Sequence, residues 1–291
     1  LGGTLTVGID DTGQDVKFYG ATSGKYWLWD ESADGVVQQG TLTVGVDDTG
    51  FDVKLFGATA GKYALWDESA DSFIVSGTTS TVTAGTSNYI AGVNAGNSIA
   101  SGGNYNTVVG DEAGTALTTG DNNVAIGYTA LDANTTASNN TAVGSSALTA
   151  NTTGGSNTAV GASSLDANTT GGSGVAVGDN ALTTNTTGDN NVGVGYGALE
   201  VNTTADNNTA VGAAALAGNT TGTGNTAVGK DAGVAVTTGG DNVAVGYNAL
   251  EANTTASYNT AIGKDALELN TTGHSNVAFG YSALDSNTSL M

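Results

Sequence analysis

The chain is dominated by a repeat of 17 residues that runs from about residue 104 to residue 291 without a single insertion. Each copy has the form N-(T/V)-A-V-G-x-x-A-L-x-x-N-T-T-(G/A)-x-x, with one glycine at a fixed central position. The eleven central glycines are Gly110, Gly127, Gly144, Gly161, Gly178, Gly195, Gly212, Gly229, Gly246, Gly263 and Gly280. A period held this strictly indicates that each copy is one structural unit stacked on its neighbour.

The columns of the repeat predict what each unit contains. The residue before the central glycine is always apolar, and the residue two places earlier is Thr or Val, as at Thr141 and Val143. This alternation of β-branched residues predicts a short strand whose apolar residue before the glycine faces inward. The Asn-Thr-Thr that closes the copy, as at residues 134–136, is typical of a turn, because Asn and Thr side chains bond to nearby backbone groups.

A leucine stands four residues after most central glycines and predicts a second inward-facing segment, too short for a stable helix. These leucines are Leu131, Leu148, Leu165, Leu182, Leu199, Leu216, Leu250, Leu267 and Leu284. One strand, one short segment and turns make one coil of a β-solenoid, so the predicted fold is all-β, a β-solenoid or β-roll fibre of 17-residue coils. In two copies Gly114 and Gly233 replace the leucine, and Leu117 and Val236 follow three residues later, which predicts a turn of helix there.

The sequence before this array has a different repeat. Residues 3–39 recur at 40–76, so residues 1–76 are predicted to form two 37-residue β modules. In the first module, alternating residues predict strands at 5–9, 16–18 and 26–28. All three tryptophans, Trp27, Trp29 and Trp66, lie in this pair of modules.

Three regions follow from these repeats: the modules at 1–76, a Gly/Ser/Thr/Asn-rich transition at 77–103, and the array at 104–291. The transition is expected to be ordered, because residues 88–92 resemble one irregular coil placed 18 residues before Gly110. A single coil buries few apolar side chains for the number of residues that it orders. We therefore expect copies of the chain to associate.

Composition excludes several function classes. The chain has 27 acidic residues against six lysines and no arginine, a formal charge of −21, so no basic surface is expected for nucleic acid. Because there is no cysteine, the chain has no disulfide, no thiolate nucleophile and no Cys-ligated metal. Apolar runs are short and the first residues lack the pattern of a signal peptide, so no membrane insertion is expected.

Two acidic loops are weak candidates for a structural Ca²⁺ site, and no other cofactor is expected. They contribute Asp10, Asp11 and Asp15 in the first module, and Asp47, Asp48 and Asp52 in the second. Three carboxylates around a glycine turn suit calcium, but no bidentate Glu closes a 12-residue loop, so a plain hairpin turn is the alternative.

Other candidate residues lie in the array. Four tyrosines share the position after the central glycine and could stack on sugar rings, or could simply cover a neighbouring coil: Tyr128, Tyr196, Tyr247 and Tyr281. Acidic residues recur five places after the glycine and are expected to be solvated surface charge: Asp132, Asp166, Glu200, Glu251, Glu268 and Asp285. His274, the one histidine, stands in a turn with no partner marked for acid–base catalysis, so no enzymatic activity is expected.

The array N-T-A-V-G-x-x-A-L-x-x-N-T-T-G resembles repeats of bacteriophage tail fibres that stand upstream of endosialidase-type chaperone domains. It is similar, more loosely, to the coils in the heads of trimeric autotransporter adhesins. The units T-L-T-V-G-x-D-D-T-G-x-D-V-K resemble modules in fibre proteins of marine phages. Together these resemblances cover nearly the whole chain.

The resemblance implies a homotrimeric, β-rich fibre of a virion or other extracellular surface. Its partners would be two further copies of itself, other virion or fibre proteins, and a host cell-surface glycan or protein. No chaperone domain, coiled-coil stalk or membrane anchor is recognised in the sequence, which favours a phage fibre or a shed fragment over an anchored adhesin. The expected function is therefore a structural fibre shaft that supports host attachment. The alternatives are a bacterial trimeric adhesin head and a glycan-degrading phage spike.

Overall fold

The computed structural model describes residues 16–19, 26–30, 35–39, 53–56, 63–67, 72–76 and 85–288. All eighteen elements in this part of the chain are β-strands. The chain divides into two compact units, residues 1–78 and 79–291. The two units have different sheet types, since pairing is antiparallel in the first and parallel in the second.

The first unit contains two three-stranded antiparallel sheets. They comprise β1 (Val16–Tyr19), β2 (Tyr26–Asp30) and β3 (Gly35–Gln39), then β4 (Val53–Phe56), β5 (Tyr63–Asp67) and β6 (Ser72–Ser76). In each sheet the second strand is central. Each strand of the second sheet begins 37 residues after its counterpart, and Val16 opposite Trp29 corresponds to Val53 opposite Trp66. The strand predicted at 5–9 lies outside the described residues.

The second unit is a β-solenoid, which confirms the predicted architecture of the array. Its strands are β7 (Tyr89–Ala91), β8 (Thr107–Val109), β9 (Val124–Ile126), β10 (Thr141–Val143), β11 (Thr158–Val160), β12 (Val175–Val177), β13 (Val192–Val194), β14 (Thr209–Val211), β15 (Thr226–Val228), β16 (Val243–Val245), β17 (Thr260–Ile262) and β18 (Val277–Phe279). These strands form one parallel sheet in sequence order. From β8 onward each residue pairs with the residue 17 places later, while β7 and β8 are offset by 18. At about 4.8 Å per strand, the sheet is roughly 50 Å long.

The leucine column lies in the core, as the repeat predicted. Leu131, Leu182 and Leu250 are each fully buried, while Leu284 in the last coil is partly exposed. These leucines have the left-handed backbone conformation, with φ of 54° at Leu182, and Leu182 N donates to Ala198 O in the next coil at 2.9 Å. Hydrogen bonds between coils therefore continue beyond the short strands.

The inward face of the strands differs from the prediction. The middle residue of each solenoid strand, such as Ala142 or Ala159, is buried, whereas Val143 and Val160 before the glycine face outward. The expected inward column of large apolar residues is therefore an outward one. The leucine of the same coil already fills the interior opposite the strand, which leaves space there for only a methyl group.

The central glycine is required by the stacking of coils. Gly144 has φ of 140°, and a Cβ at this position would lie 2.4 Å from the carbonyl oxygen of Gly161. The same collision recurs from Gly110 to Gly263, but a Cβ at Gly280 in the last coil would meet nothing within 4 Å. Each coil therefore needs glycine here because the next coil packs directly on its backbone.

Coils with glycine in the leucine column keep the same backbone, so the predicted turn of helix is wrong. Residues 111–116 form the same turn as residues 128–133, and φ is 54° at Gly114 and 56° at Leu131. Leu117, three residues after Gly114, is nevertheless fully buried. The core of these coils is filled by the side chain seven residues after the central glycine, and no helix is needed to bring it inward.

We call these two types leucine coils and glycine coils. Glycine coils have Gly four residues after the central glycine and an apolar residue seven residues after it. The residue pairs are Gly96 with Ile99, Gly114 with Leu117, and Gly233 with Val236. Leucine coils have Leu and Asn at these two positions. In both types the backbone N–H at the first position donates to the next coil, at 2.9 Å from Gly233 to Ala249 O.

Two columns of buried asparagines connect the coils. In the Asn-Thr-Thr column, Asn151 Nδ2 donates to Asn134 Oδ1 of the preceding coil and to Gly154 O of its own turn, both at 3.0 Å. In the column before the strands, Asn140 N donates to Asn123 Oδ1, also at 3.0 Å. The turn bond was predicted, but the bonds between coils were not. A buried amide can satisfy both its donor and its acceptor groups in this arrangement.

Candidate interaction surfaces

The most continuous surface is the outer face of the parallel sheet. We define the strand face as the first and third residues of β8 to β18, which are Thr or Val at the first position and Val, Ile or Phe at the third. None of these residues is charged, although the chain has a formal charge of −21. Val177, Val211 and Val228 are each 36 to 39% exposed, and Phe279 at the end of the sheet is 80% exposed. The strand face is thus a long uncharged strip of β-branched side chains.

A second regular surface consists of threonines. In the pair Thr152 and Thr153, the first hydroxyl donates to Thr169 O of the next coil at 3.0 Å, and the second threonine is exposed. The exposed member recurs in ten successive coils: Thr119, Thr136, Thr153, Thr170, Thr187, Thr204, Thr221, Thr238, Thr255 and Thr272. The first threonine therefore has a structural role, and the second is available to solvent.

The four candidate tyrosines are all exposed, but they have different neighbours. Tyr247 and Tyr281 contact lysines of adjacent coils, whereas among the described residues no lysine contacts Tyr128 or Tyr196. Lys230 Nζ lies 5.4 Å from the ring centroid of Tyr247. The lysines were not among the residues predicted from sequence, although they occupy the tyrosine column and could have been found by aligning the repeats.

Each of these lysines also pairs with the next residue in the chain. Lys264 Nζ donates to Asp265 Oδ2 at 2.7 Å, and Lys230 makes the same contact with Asp231. The hydrogen bond to Asp231 raises the pKa of Lys230 above its ordinary value, and the bond to Asp265 does the same for Lys264. Both ammonium groups therefore remain charged at neutral pH.

The acidic column lies at the surface, and the pKa of one of its carboxyl groups is shifted. Burial raises the pKa of Glu251 above its ordinary value, and the carboxylate of Glu268 in the next coil acts in the same direction. Asp231 and Asp265 add to this effect, while Lys230 opposes it. This end of the solenoid therefore concentrates negative charge beside the two lysines.

His274 has a contact within the solenoid. Its Nδ1 accepts a hydrogen bond from Ser257 N of the preceding coil at 2.9 Å. In other coils the same position carries an oxygen acceptor, such as Asp189 Oδ1 for Gly172 N at 2.7 Å. The imidazole therefore replaces a carboxylate or hydroxyl in a ladder of hydrogen bonds between coils.

The metal candidates lie outside the part that the structure describes. Asp10, Asp11, Asp15, Asp47, Asp48 and Asp52 all lie outside the described residues. Within the described residues, no three His, Asp or Glu side chains cluster as a metal site would require. No helix among these residues has the length and apolar character needed to cross a bilayer.

Comparison with known proteins leaves the chain without an assigned relative. No protein-family model, no curated protein and no solved structure matches it.

Proposed function

We propose that the chain is the structural shaft of an extracellular fibre, such as a bacteriophage tail fibre, and supports attachment to a host surface. In this proposal three parallel copies pack through their strand faces. The observation that carries it is the uncharged strand face, which runs along eleven consecutive strands of a strongly acidic chain. A surface of this kind can be buried between copies without leaving unpaired charge.

The regularity of the coil favours this role. A shaft acts as a spacer and needs a uniform structure rather than a reactive site. In this chain the bonds between coils repeat every 17 residues through the leucine, threonine and asparagine columns. Parallel copies in register would place equivalent residues side by side at every coil. Association along the full length would then add many small contributions from Thr and Val side chains.

The oligomeric state tests this proposal. We expect a native mass near three times 28.3 kDa by light scattering, and a species that resists an unheated denaturing gel. A Val177→Glu variant places a charge in the strand face and should dissociate the trimer. Thr187→Glu adds the same charge at an exposed threonine outside that face and should leave the trimer intact. A folded monomer of the unaltered chain would refute the proposal.

The glycan-degrading spike is the second candidate, and the pair Glu251 and Glu268 favours it. Glu251 and Glu268 lie on adjacent coils and interact electrostatically, and a glycosidase likewise uses two neighbouring carboxyl groups. This candidate predicts release of reducing ends from a polysaccharide substrate, and loss of that release in Glu251→Gln. The fibre shaft predicts no release by either protein.

A further inference from the structure

Four consecutive coils near the carboxyl end carry alternating lysine and tyrosine after the central glycine. We define Lys230, Tyr247, Lys264 and Tyr281 as the lysine–tyrosine strip. In the eight preceding coils, no lysine occupies the equivalent position, and lysine and tyrosine do not alternate. At about 4.8 Å per coil, the two tyrosines are roughly 10 Å apart along the solenoid.

The side chains of the strip contact one another. Lys264 Nζ lies 5.7 Å from the ring centroid of Tyr247 and 5.3 Å from that of Tyr281, so this ammonium group is shared by two rings. With Lys230, Tyr247 has a lysine from the coil on each side. Such contacts restrict the rotation of the rings, which lowers the entropy lost when a ligand binds.

The backbone beneath the strip is also fixed by bonds between coils. Asp265 N donates to Tyr247 O at 2.9 Å, and Ser282 N donates to Lys264 O at 2.9 Å. The residues that follow the strip members are Asp231, Asn248, Asp265 and Ser282, so a row of polar side chains accompanies the rings. Carboxylate, amide and hydroxyl groups supply hydrogen-bond acceptors and donors for hydroxyl-rich ligands.

The local charge selects against polyanions. Lys230 and Lys264 are the only basic residues of 79–291 other than His274, and each is already paired with an aspartate. Glu251 interacts electrostatically with the carboxylates of Glu268, Asp231 and Asp265, so carboxylates outnumber ammonium groups in this part of the solenoid. With this excess of negative charge, an acidic polymer would be repelled.

We propose that the lysine–tyrosine strip binds a neutral polysaccharide, whose chain lies along the solenoid axis. The sugar rings contact the exposed surface of Tyr247 and Tyr281 that the lysines do not cover, and the sugar hydroxyls bond to the lysines and to the polar row beside them. The spacing of the two tyrosines is close to the length of a disaccharide unit in an extended chain. This inference deepens the proposed attachment role, and it rests on that role for its biological meaning.

The chain contains its own control for this proposal. Tyr128 and Tyr196 have the same position in their coils and are similarly exposed, but their neighbours in the column are not lysines. They are Asp111 and Ser145 beside Tyr128, and Asp179 and Ala213 beside Tyr196. Tyr128 and Tyr196 are also four coils apart rather than two, so they lack both the lysines and the spacing of the strip. If exposure of a single tyrosine were sufficient for binding, each of the four tyrosines would contribute equally.

The test is affinity electrophoresis of the full chain in gels that contain a soluble neutral polysaccharide. Hydroxyethyl cellulose, laminarin and galactomannan are the neutral probes, and alginate is the acidic comparator. We expect at least one neutral probe to retard the protein. The double variant Tyr247→Ala/Tyr281→Ala should weaken this binding by about tenfold or more. The variant Tyr128→Ala/Tyr196→Ala should change it less than about twofold. Binding should also persist at about 0.5 M salt, because no net charge attraction is involved.

Three results would overturn the proposal: no retardation by any neutral probe, equal loss in both double variants, or binding to alginate alone that salt abolishes. Circular dichroism and thermal melting of both variants establish that the coils remain folded. Because native mass is measured separately, a trimer without glycan binding would refute this inference alone. Glycan binding by a folded monomer would refute the trimeric shaft alone.

Discussion

Leucine coils and glycine coils solve the same packing problem in opposite ways. In the leucine coil that begins at Gly178, Leu182 fills the core and Asn185 closes the turn with an amide. We call the leucine position of a coil its first wall and the asparagine position, three residues later, its second wall. In the glycine coil that begins at Gly229, Gly233 leaves the first wall empty and Val236 fills the core from the second. The backbone path is common to both types, so it does not depend on which wall supplies the apolar side chain.

The difference has a cost at the boundary between the two types. An Asn-Thr-Thr asparagine followed by another in the next coil accepts a bond from it, as Asn202 Oδ1 does from Asn219 Nδ2 at 2.9 Å. The next residue in the column after Asn219 is Val236, which has no donor. Asn219 Oδ1 is accordingly the one buried side-chain polar atom of the described residues that lacks a hydrogen-bond partner. Filling the core from the second wall therefore interrupts the polar ladder.

The largest effect on stability is expected from a charge in the buried leucine column. Leu182→Asp places an unpaired carboxylate at a fully buried position and should lower the free energy of unfolding by about 4 kcal/mol or more, or prevent folding. Thermal melting followed by circular dichroism measures it. Asp166→Asn, a change in the partly exposed acidic column, is the control and should have little effect. Equal melting of the two variants would contradict the buried leucine column.

A double-mutant cycle tests whether the two walls compensate. Leu182→Gly should cost about 3–5 kcal/mol through the cavity that it leaves. Asn185→Leu should cost about 2–4 kcal/mol, because it crowds the core and removes the bond to Asn168 Oδ1. The double variant recreates a glycine coil and should recover about 2 kcal/mol of the summed cost. Additive costs in urea unfolding would mean that the walls do not compensate.

The reverse exchange should stabilise the protein. Gly233→Leu with Val236→Asn converts a glycine coil into a leucine coil and supplies a donor for Asn219 Oδ1, for a gain of about 1–2 kcal/mol in unfolding free energy. Val236→Asn alone leaves the space beside Gly233 empty and should destabilise. A double variant that melts no higher than the unaltered chain would show that the unpaired oxygen costs little.

The smallest effect concerns the acidic column and depends on pH. Because the pKa of Glu251 is raised in the folded state, its charged form destabilises that state above this pKa, and the penalty disappears as the pH falls through it. Glu251→Gln should therefore raise stability by a few tenths of a kcal/mol at about pH 7 and by nothing at about pH 4. Melting temperatures at both pH values measure this. Asp166→Asn is the control, because it removes one carboxylate from a column position whose neighbours are Thr149 and Thr183.

The sequence predicts which tyrosines share one column, but it does not show which of them contact lysines. Alignment of the repeats places Tyr128, Tyr196, Tyr247 and Tyr281 in one exposed column. What separates them is contact with Lys230 and Lys264, which depends on the distance between coils and on side-chain direction. The contact of His274 with Ser257 depends on the same stacking, which local sequence around the histidine does not reveal.

The sequence by itself determined the coil length, the position of each strand of the 17-residue array, the glycine column and the burial of leucines such as Leu148. The strict period carries this information, because every copy repeats the same local preferences. The sequence did not predict the third strand of the first module, Gly35–Gln39. Only the tertiary structure decided which side of the strand faces inward and where the asparagine amides bond. A three-residue strand satisfies its alternation with either face inside, and the choice follows from the narrow space that remains once the coil closes around its leucine. That space admits Ala142 and excludes Val143.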